Sequence, residues 1–362
     1  MKTTNFAWIA TWRITDRCNL RCAYCDHSTL RRAAEADEGT VFAAVLRRIG
    51  EYRPKILNIT GGEPTLVSEL PQLLAQAKQE WNPFVRVVHN GTQPSATVPL
   101  FAHLDRLVVS MDGPGATNRA NRGIDGDAVL SKLGAIMPEA RAHGVEVSIN
   151  CVVTRQNVGA ITELAEEVTA VSPDIILCFS PVMPPLSDLS ILADPAVHAA
   201  FQARYAALRA QGHNVIQTFD HILRHSSYDR IQCYNQYFSL RVTPEGKIGS
   251  CAMNVPVKLG EYRHSWRRLL SAAGLRKARD MFGKLVRANT GAAPDFTCTA
   301  ICNCESWLDM LFLGLESDSL PVYLRGLSGR VTPAELDDVE GFVRRHINPA
   351  FSADSLRRSL TK

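Results

Sequence analysis

Nowhere in this sequence do about 18 apolar residues run together without interruption, and the N-terminus lacks the apolar core of an export signal. Neither membrane spanning nor export is indicated, so a cytoplasmic protein without a membrane partner is expected. No basic run is longer than a pair, and the formal net charge of +4 is spread along the chain. A nucleic-acid partner is therefore not expected either. With no secretion signal, the ten cysteines point to metal or redox chemistry, not to a disulfide framework. What remains is the composition of a globular protein, 46% apolar and 21% charged. A length of 362 residues is long for one ordinary domain and suggests two, with barrels a standing exception.

Three of the cysteines stand close together. The stretch Arg13 to Ser28, RITDRCNLRCAYCDHS, holds Cys18, Cys22 and Cys25 directly after an apolar run, Phe6 to Ile14, that reads as a first strand. On a continuous helix the outer two thiols would be separated by roughly 10 Å of axial rise, too far for one compact centre. The triplet is therefore expected on a loop that folds around its ligand. Thiolates are the standard ligands of iron-sulfur clusters, and a fully ligated 4Fe-4S cube takes four, so three leave one iron open. Two other readings compete: buried thiols acting as small hydrophobes, or a structural zinc site of the Cys3His type completed by His27.

Beyond the triplet, β-like and helical segments alternate as far as about residue 185. The strand candidates are Ile56 to Thr60, Val85 to His89, Leu107 to Met111, Val145 to Val153 and Ile175 to Phe179. The helical candidates between them are Val41 to Arg48, Leu70 to Glu80, Val129 to His143 and Ile161 to Val168, two of them stopped by Gly50 and Gly144. Near-continuous apolar strands separated by helices argue for a parallel sheet, an α/β layout of six strands with its chemistry at the C-terminal strand ends. Those ends carry the punctuation. Ile56 to Thr60 runs into Gly61-Gly62-Glu63-Pro64, where glycine lets the backbone approach a ligand closely and Glu63 supplies an acceptor. The third strand ends in His89-Asn90-Gly91, the fourth in Ser110-Met111-Asp112-Gly113-Pro114 with Asn121-Arg122-Gly123 shortly after, and the fifth carries Asn150.

Taken together, CxxxCxΦC with Tyr24 as the aromatic Φ, the GGEP turn and the SxDGP...RG segment resemble the radical S-adenosylmethionine (SAM) superfamily. The resemblance implies a partial (β/α)6 barrel in which Cys18, Cys22 and Cys25 hold a 4Fe-4S cluster. SAM would chelate the open iron and be cleaved reductively to a 5′-deoxyadenosyl radical that takes hydrogen from a substrate. Gly61, Gly62, Glu63 and Pro64 would receive the amino group of SAM; Ser110, Arg122 and Asn150 would contact SAM, with Arg122 as the fork for its carboxylate. His89 stands where the family usually has threonine, and no role is assigned to it. Cys151 and Cys178, inside apolar strands, read as buried inert thiols.

The tail changes texture after Pro181, Pro184 and Pro185. A helix from Pro195 to about Gln211 leads to a boundary near residue 225 and then to a hairpin, Phe238 to Val242 with a turn at Pro244-Glu245-Gly246. Around it lie Cys233, Cys251, Cys298, Cys302 and Cys304. This is similar to the SPASM and twitch extensions of the superfamily, with spacing like that of 2-deoxy-scyllo-inosamine dehydrogenase, and implies one auxiliary 4Fe-4S cluster; five cysteines bound to zinc are the alternative. The expected division is a barrel over 1–225, an auxiliary-cluster domain over 226–310 and a helical tail over 311–362. In that tail Trp307 to Leu315 is expected to pack, and Thr332-Pro333-Ala334-Glu335 reads as a capping box opening a helix to about His346. The resulting expectation is an oxidoreductase that draws electrons from a flavodoxin or ferredoxin and oxidises a small polar metabolite. The short stretch before Cys18 leaves no room for a leader-binding domain and favours such a metabolite over a peptide. Peptide modification and redox-neutral epimerisation are the rivals, as is, in another class, a non-catalytic metal-binding protein. No general base is singled out among Asp220, His221 and Glu305.

Overall fold

The computed structural model describes residues 7–25, 42–182, 189–191, 194–219, 238–249, 306–314, 317–346 and 348–360. The sheet begins with β1 (Ile9–Thr15), β2 (Ile56–Gly61), β3 (Phe84–His89), β4 (Arg106–Ser110), β5 (Glu146–Val153) and β6 (Ile176–Pro181). These six strands coincide with the six expected. Two further parallel strands extend it: β7 (Val215–Gln217) beside β6, which periodicity did not reveal, and β8 (Ser239–Val242), the first strand of the expected hairpin, which lies beside β1. The order is β7-β6-β5-β4-β3-β2-β1-β8, with β9 (Ile248–Gly249) antiparallel to β8 at the edge. Strand β8 thus lies beyond the boundary drawn near residue 225 and yet continues the main sheet, pairing Ile9 with Ser239 through Trp12 with Val242.

Helices cover one face. In α1 (Phe42–Gly50), α2 (Leu70–Trp81) and, after α3 (Gly115–Arg122) and α4 (Gly126–Ala142), in α5 (Ile161–Val171), the buried residues fall at i, i+3, i+4 and i+7. Phe42, Val45, Leu46 and Ile49 are one such stripe and Ile161, Leu164, Ala165 and Val168 another. Helix α4 starts three residues earlier than its apolar pattern because the Asp125 carboxylate accepts from the backbone N–H groups of Asp127 and Ala128. Asp194 caps α6 (Pro195–Ala210) in the same way. The stripes meet alternate residues of the strands, such as Trp12, Leu57, Ile59, Val85, Val87, Val109, Ile149 and Phe179, in one continuous core. Fully burying a residue of this size stabilises by roughly 1.5–3 kcal/mol.

Because side chains alternate across a strand, the residues between these face the concave side. They include Thr11, Asn58, Arg86, Ser148, Asn150 and Cys178. These polar residues line part of the concave face, where Arg86, Asn150 and Cys178 are only half-buried.

A second core closes the N-terminal ends of the strands. Trp8, Ile9, Ile56 and Phe84 pack against Trp307, Leu308, Leu311 and Phe312 of α7 (Ser306–Leu313) and against the segments that follow, α8 (Leu320–Leu324), α9 (Pro333–His346) and α10 (Asp354–Leu360). The capping box expected at α9 is formed. The Glu335 carboxylate accepts from Thr332 N–H at 2.8 Å, and Thr332 Oγ1 accepts from Glu335 N–H at 3.2 Å. With that end covered, the C-terminal strand ends are left for chemistry. Among the described residues, no helix is long and apolar enough to cross a membrane.

Candidate active site

The loop bearing Cys18, Cys22 and Cys25 leaves the C-terminal end of β1, as expected, and two separate contacts hold it. The first is to the glycine turn. Gly62 N–H donates to Thr15 O and Glu63 N–H to Arg17 O, both at 2.7 Å, so the turn runs alongside the start of the cysteine loop. A Cβ on Gly61 would lie 2.4 Å from Thr15 O, and one on Gly62 would lie 2.0 Å from Arg17 O. Gly61 also has φ +154. The two glycines are thus dictated by the approach of the cysteine loop itself.

Glu63 turns inward. Its Oε1 accepts from Thr65 N–H at 3.0 Å and from Thr65 Oγ1 at 2.7 Å, and it lies 2.8 Å from His89 Nδ1. Its Oε2 accepts from Asn90 N–H at 2.7 Å, and the residue is 1% exposed. Burial pushes its pKa up, but the hydrogen bonds from His89 and Thr65 and the His89 charge outweigh that and lower it. With both oxygens engaged, the carboxylate is a structural hub; the half-buried part of the turn is Thr60, Gly61 and Gly62. His89, without a role in the sequence reading, is the buried partner of this carboxylate. Asn90 then reaches the loop: its Nδ2 donates to Asn19 Oδ1 at 2.6 Å and lies 3.8 Å from Cys18 Sγ.

The second contact is to the fourth strand end. Tyr24 donates its hydroxyl to Asp112 Oδ2 at 2.5 Å and accepts from Arg122 Nη1 at 2.5 Å, while Arg122 and Asp112 pair at 3.4 Å. The backbone N–H of Ala23 donates to Asn121 O at 2.9 Å. Asp112 is the centre: Oδ1 accepts from Val152 N–H at 3.0 Å, its own N–H donates to Asn118 Oδ1 at 2.7 Å, and its carbonyl accepts from Asn157 Nδ2 at 2.8 Å. Burial, followed by the Asp112 charge, pushes the Tyr24 phenol well above its ordinary value, so it stays protonated. Burial disfavours the Arg122 charge, yet Asp112 outweighs it and holds the guanidinium firmly protonated. Arg122, buried at 7% exposure, is in this structure a clamp on the cysteine loop.

Ser110 and Asn150 are register partners at the ends of β4 and β5, and Asn150 Oδ1 accepts from Ser180 Oγ at 2.8 Å. Pro64 is buried and opens a short 3-10 turn, Pro64–Leu66. Of the two strand thiols, Cys151 is fully buried against the helices as expected. Cys178 differs, being half-buried on the concave face. Cys233, Cys251, Cys298, Cys302 and Cys304 lie outside the described residues, as do His27, Asp220, His221 and Glu305.

None of the three loop thiols is in a disulfide; all are half-buried and share one electrostatic neighbourhood. Burial pushes the Cys22 thiol up, Arg122 opposes that, and Cys25 and Cys18 add to it. An all-sulfur donor set of three thiols on one clamped loop is the chemistry that a four-iron cluster takes, one thiolate per iron, and these residues fit it.

Asp112, His89, Asn90, Asn118 and Asn157 were not picked out from sequence as site residues. Asp112, His89 and Asn90 did stand inside motifs already noted there; Asn118 and Asn157 carry no signal beyond their polarity.

Comparison with known proteins gives a family match over part of the chain. Residues 12–168 match the Radical SAM superfamily. The pre-heme d1 synthase of Dinoroseobacter shibae is 29% identical over 169 residues, 43% of this chain and 39% of that protein. The PqqA peptide cyclase of Gluconobacter oxydans is 30% identical over 156 residues, 42% of this chain and 43% of that protein. The chain therefore spans about two fifths of the length of these relatives. The crystal structure of Streptococcus suis SuiB bound to S-adenosylmethionine superposes with a TM-score of 0.52 at 17% identity, covering 70% of this chain and 60% of that one. The fold is that partial barrel.

Proposed function

We propose that the barrel, which matches the Radical SAM superfamily over residues 12–168, binds a 4Fe-4S cluster through Cys18, Cys22 and Cys25 and uses SAM to oxidise a substrate held on the concave face. The observation that carries this is the double clamp on the cysteine loop, by the glycine turn on one side and by Tyr24, Arg122 and Asp112 on the other. When bound, the cluster supplies the electron that cleaves SAM to methionine and a 5′-deoxyadenosyl radical. The chain's own residues do the positioning. Backbone groups of Thr60, Gly61 and Gly62 take the SAM amine, since Glu63 is occupied by internal donors. Ser110 and Asn150, on the rim of the concave face, hold the remaining polar groups of SAM. Arg122 keeps Tyr24 and the loop in place.

The substrate we favour is a small polar metabolite, and the tail cysteines Cys233, Cys251, Cys298, Cys302 and Cys304 would hold an auxiliary 4Fe-4S cluster that accepts the second electron. A flavodoxin or ferredoxin would supply the first. The second reading is peptide modification, favoured by the names of the relatives: a PqqA peptide cyclase, and a SuiB solved with its precursor peptide SuiA. The test is anaerobic reconstitution followed by assay of iron, sulfide and reductive formation of 5′-deoxyadenosine. Stoichiometric zinc without sulfide would remove the proposal. For the outcome, product mass in heavy water decides: loss of two hydrogens supports oxidation, whereas an isomer carrying one solvent deuterium at carbon means epimerisation.

A further inference from the structure

Three arginines occupy the inward-facing positions of β1, β3 and β4, and their charges are treated differently. Arg13 pairs with Asp16 at 3.1 Å. Arg106 donates through Nε to Glu146 at 2.8 Å and through Nη2 to Val322 O at 3.0 Å. Arg86 has no carboxylate within ion-pair distance among the described residues, and its Nε is buried without a hydrogen-bond partner. Its described neighbours are the Tyr323 ring, 6.0 Å from the guanidinium, and two groups that feel its charge, Arg106 and Cys178. Arg86 is on β3 and Cys178 on β6, three strands away. The Arg86 charge reaches Cys178 because both face the same side of the curved sheet.

A second orphan stands beside it. Asn58, the register partner of Arg86 on β2, is 7% exposed. Its Nδ2 donates to Thr11 Oγ1 at 3.3 Å, while its Oδ1 is buried and accepts nothing. Arg241 on β8 occupies the same row through Thr11, so two guanidinium-bearing positions flank it. A buried polar atom without a partner costs about 1–3 kcal/mol, and more when charged. An uncompensated guanidinium beside an orphan acceptor therefore describes a recognition site whose complement comes from outside.

We infer that Arg86 and Asn58 form the anion-recognition end of the substrate site. The ligand carries a carboxylate or phosphate that takes the Arg86 fork, and next to it an N–H or O–H that Asn58 Oδ1 accepts. The inference rests on reading the concave face as the place where substrate meets the SAM-derived radical. It adds the chemical class of the substrate: an acid or phosphate ester, not a neutral polyol or amine. Arg86 sits two residues into β3, toward the end of the barrel closed by Tyr323, so the anionic group points away from the cysteine loop and leaves the other end of the molecule facing it.

The test uses the reconstituted full chain and two probes, glutarate and inorganic phosphate, each against phenylglyoxal modification of arginine mapped by peptide mass spectrometry. Modification of Arg86 in the wild type should slow about tenfold or more at saturating glutarate or phosphate, with exposed Arg47 and Arg53 unaffected. The probe that protects distinguishes carboxylate from phosphate. In parallel, Arg86→Gln should weaken binding of the protecting anion by about tenfold or more in calorimetry, and Arg86→Lys by less. An Arg86 that resists the reagent without added anion, or reacts equally with and without both, overturns the inference. So does unchanged anion binding by Arg86→Gln. Protection needs no turnover. If Arg86 is protected but the wild type makes no 5′-deoxyadenosine, the proposed reaction fails and the anion site stands; the converse result removes only the anion site.

Discussion

Gly62 shows how tightly single residues are constrained here. Its missing Cβ would sit 2.0 Å from a backbone oxygen, Arg17 O, and no rotamer can relieve that. In Gly62→Ala one of the two segments must shift, at a cost of about 1–3 kcal/mol for overpacking. Because Arg17 precedes Cys18, the variant should take up less iron on reconstitution as well as unfold at lower urea; full iron at reduced stability would dissociate the turn from the loop. Glu63 yields a pH prediction. Its folded pKa lies below the ordinary glutamate value of 4.5, so the native state binds its proton later than the unfolded chain as pH falls. Its contribution is complete well above pH 4.5 and is lost as pH falls below that value toward the folded pKa. Glu63→Gln should therefore be less stable than wild type at neutral pH and lose less on acidification, measured as urea midpoint against pH.

At the scale of elements, α3 and α9 show what periodicity can and cannot reveal. Helix α9 was legible because Thr332 and Glu335 form a reciprocal cap with a known sequence form. Glu335 Oε1 adds an ion pair to Lys55 at 2.7 Å, next to the start of β2. Thr332→Ala should cost about 1 kcal/mol, read as a shift of urea midpoint, while Glu335→Gln, which keeps an acceptor for Thr332 N–H, should cost less. Helix α3 was invisible as a helix because its buried residues are Asn118, Asn121 and Arg122, with no apolar stripe. It is held by polar groups around Asp112. Removing the cation by Arg122→Ala leaves the Asp112 carboxylate, whose side chain is 0% exposed, without its ion-pair partner. Loss of one partner of a buried pair costs about 3–5 kcal/mol. Tyr24→Phe removes two hydrogen bonds, one donated to Asp112 and one accepted from Arg122, but leaves those two charges paired with each other, so no buried charge is stripped of its counter-ion and the cost should be smaller. Urea unfolding should rank Arg122→Ala below Tyr24→Phe; the reverse order would mean that Asp112 draws its compensation mainly from Tyr24 and backbone donors.

At the scale of the whole molecule, six strands and their helices were readable because each outward face is a run of Val, Ile and Leu that only a covered sheet can bury. The three-residue strand β7 was not, since so short a run carries too little pattern; the hairpin strand β8 was, but not its pairing with β1, which is set by neighbours far away in sequence. The polarity of the concave face was present in the sequence, as Asn58, Arg86, Ser148, Asn150 and Cys178 interrupt apolar strands, but a reading of continuous hydrophobic runs passes over it. The hairpin of β8 and β9 ties the tail to β1, and β1 leads straight into Cys18, so the same strand connects both groups of cysteines along the chain. This connection makes their division of labour testable without a known substrate. If Cys18, Cys22 and Cys25 serve SAM and the tail cysteines serve a separate cluster, the wild type should hold about eight irons. Cys251→Ala should fall to about four and still form 5′-deoxyadenosine with a chemical reductant. Cys25→Ala should lose 5′-deoxyadenosine altogether while keeping the tail's iron. A Cys251→Ala protein that keeps its full iron would remove the tail as a cluster site. One that loses both its iron and SAM cleavage would mean that the tail is needed to hold the cysteine loop itself, through β8 and β1.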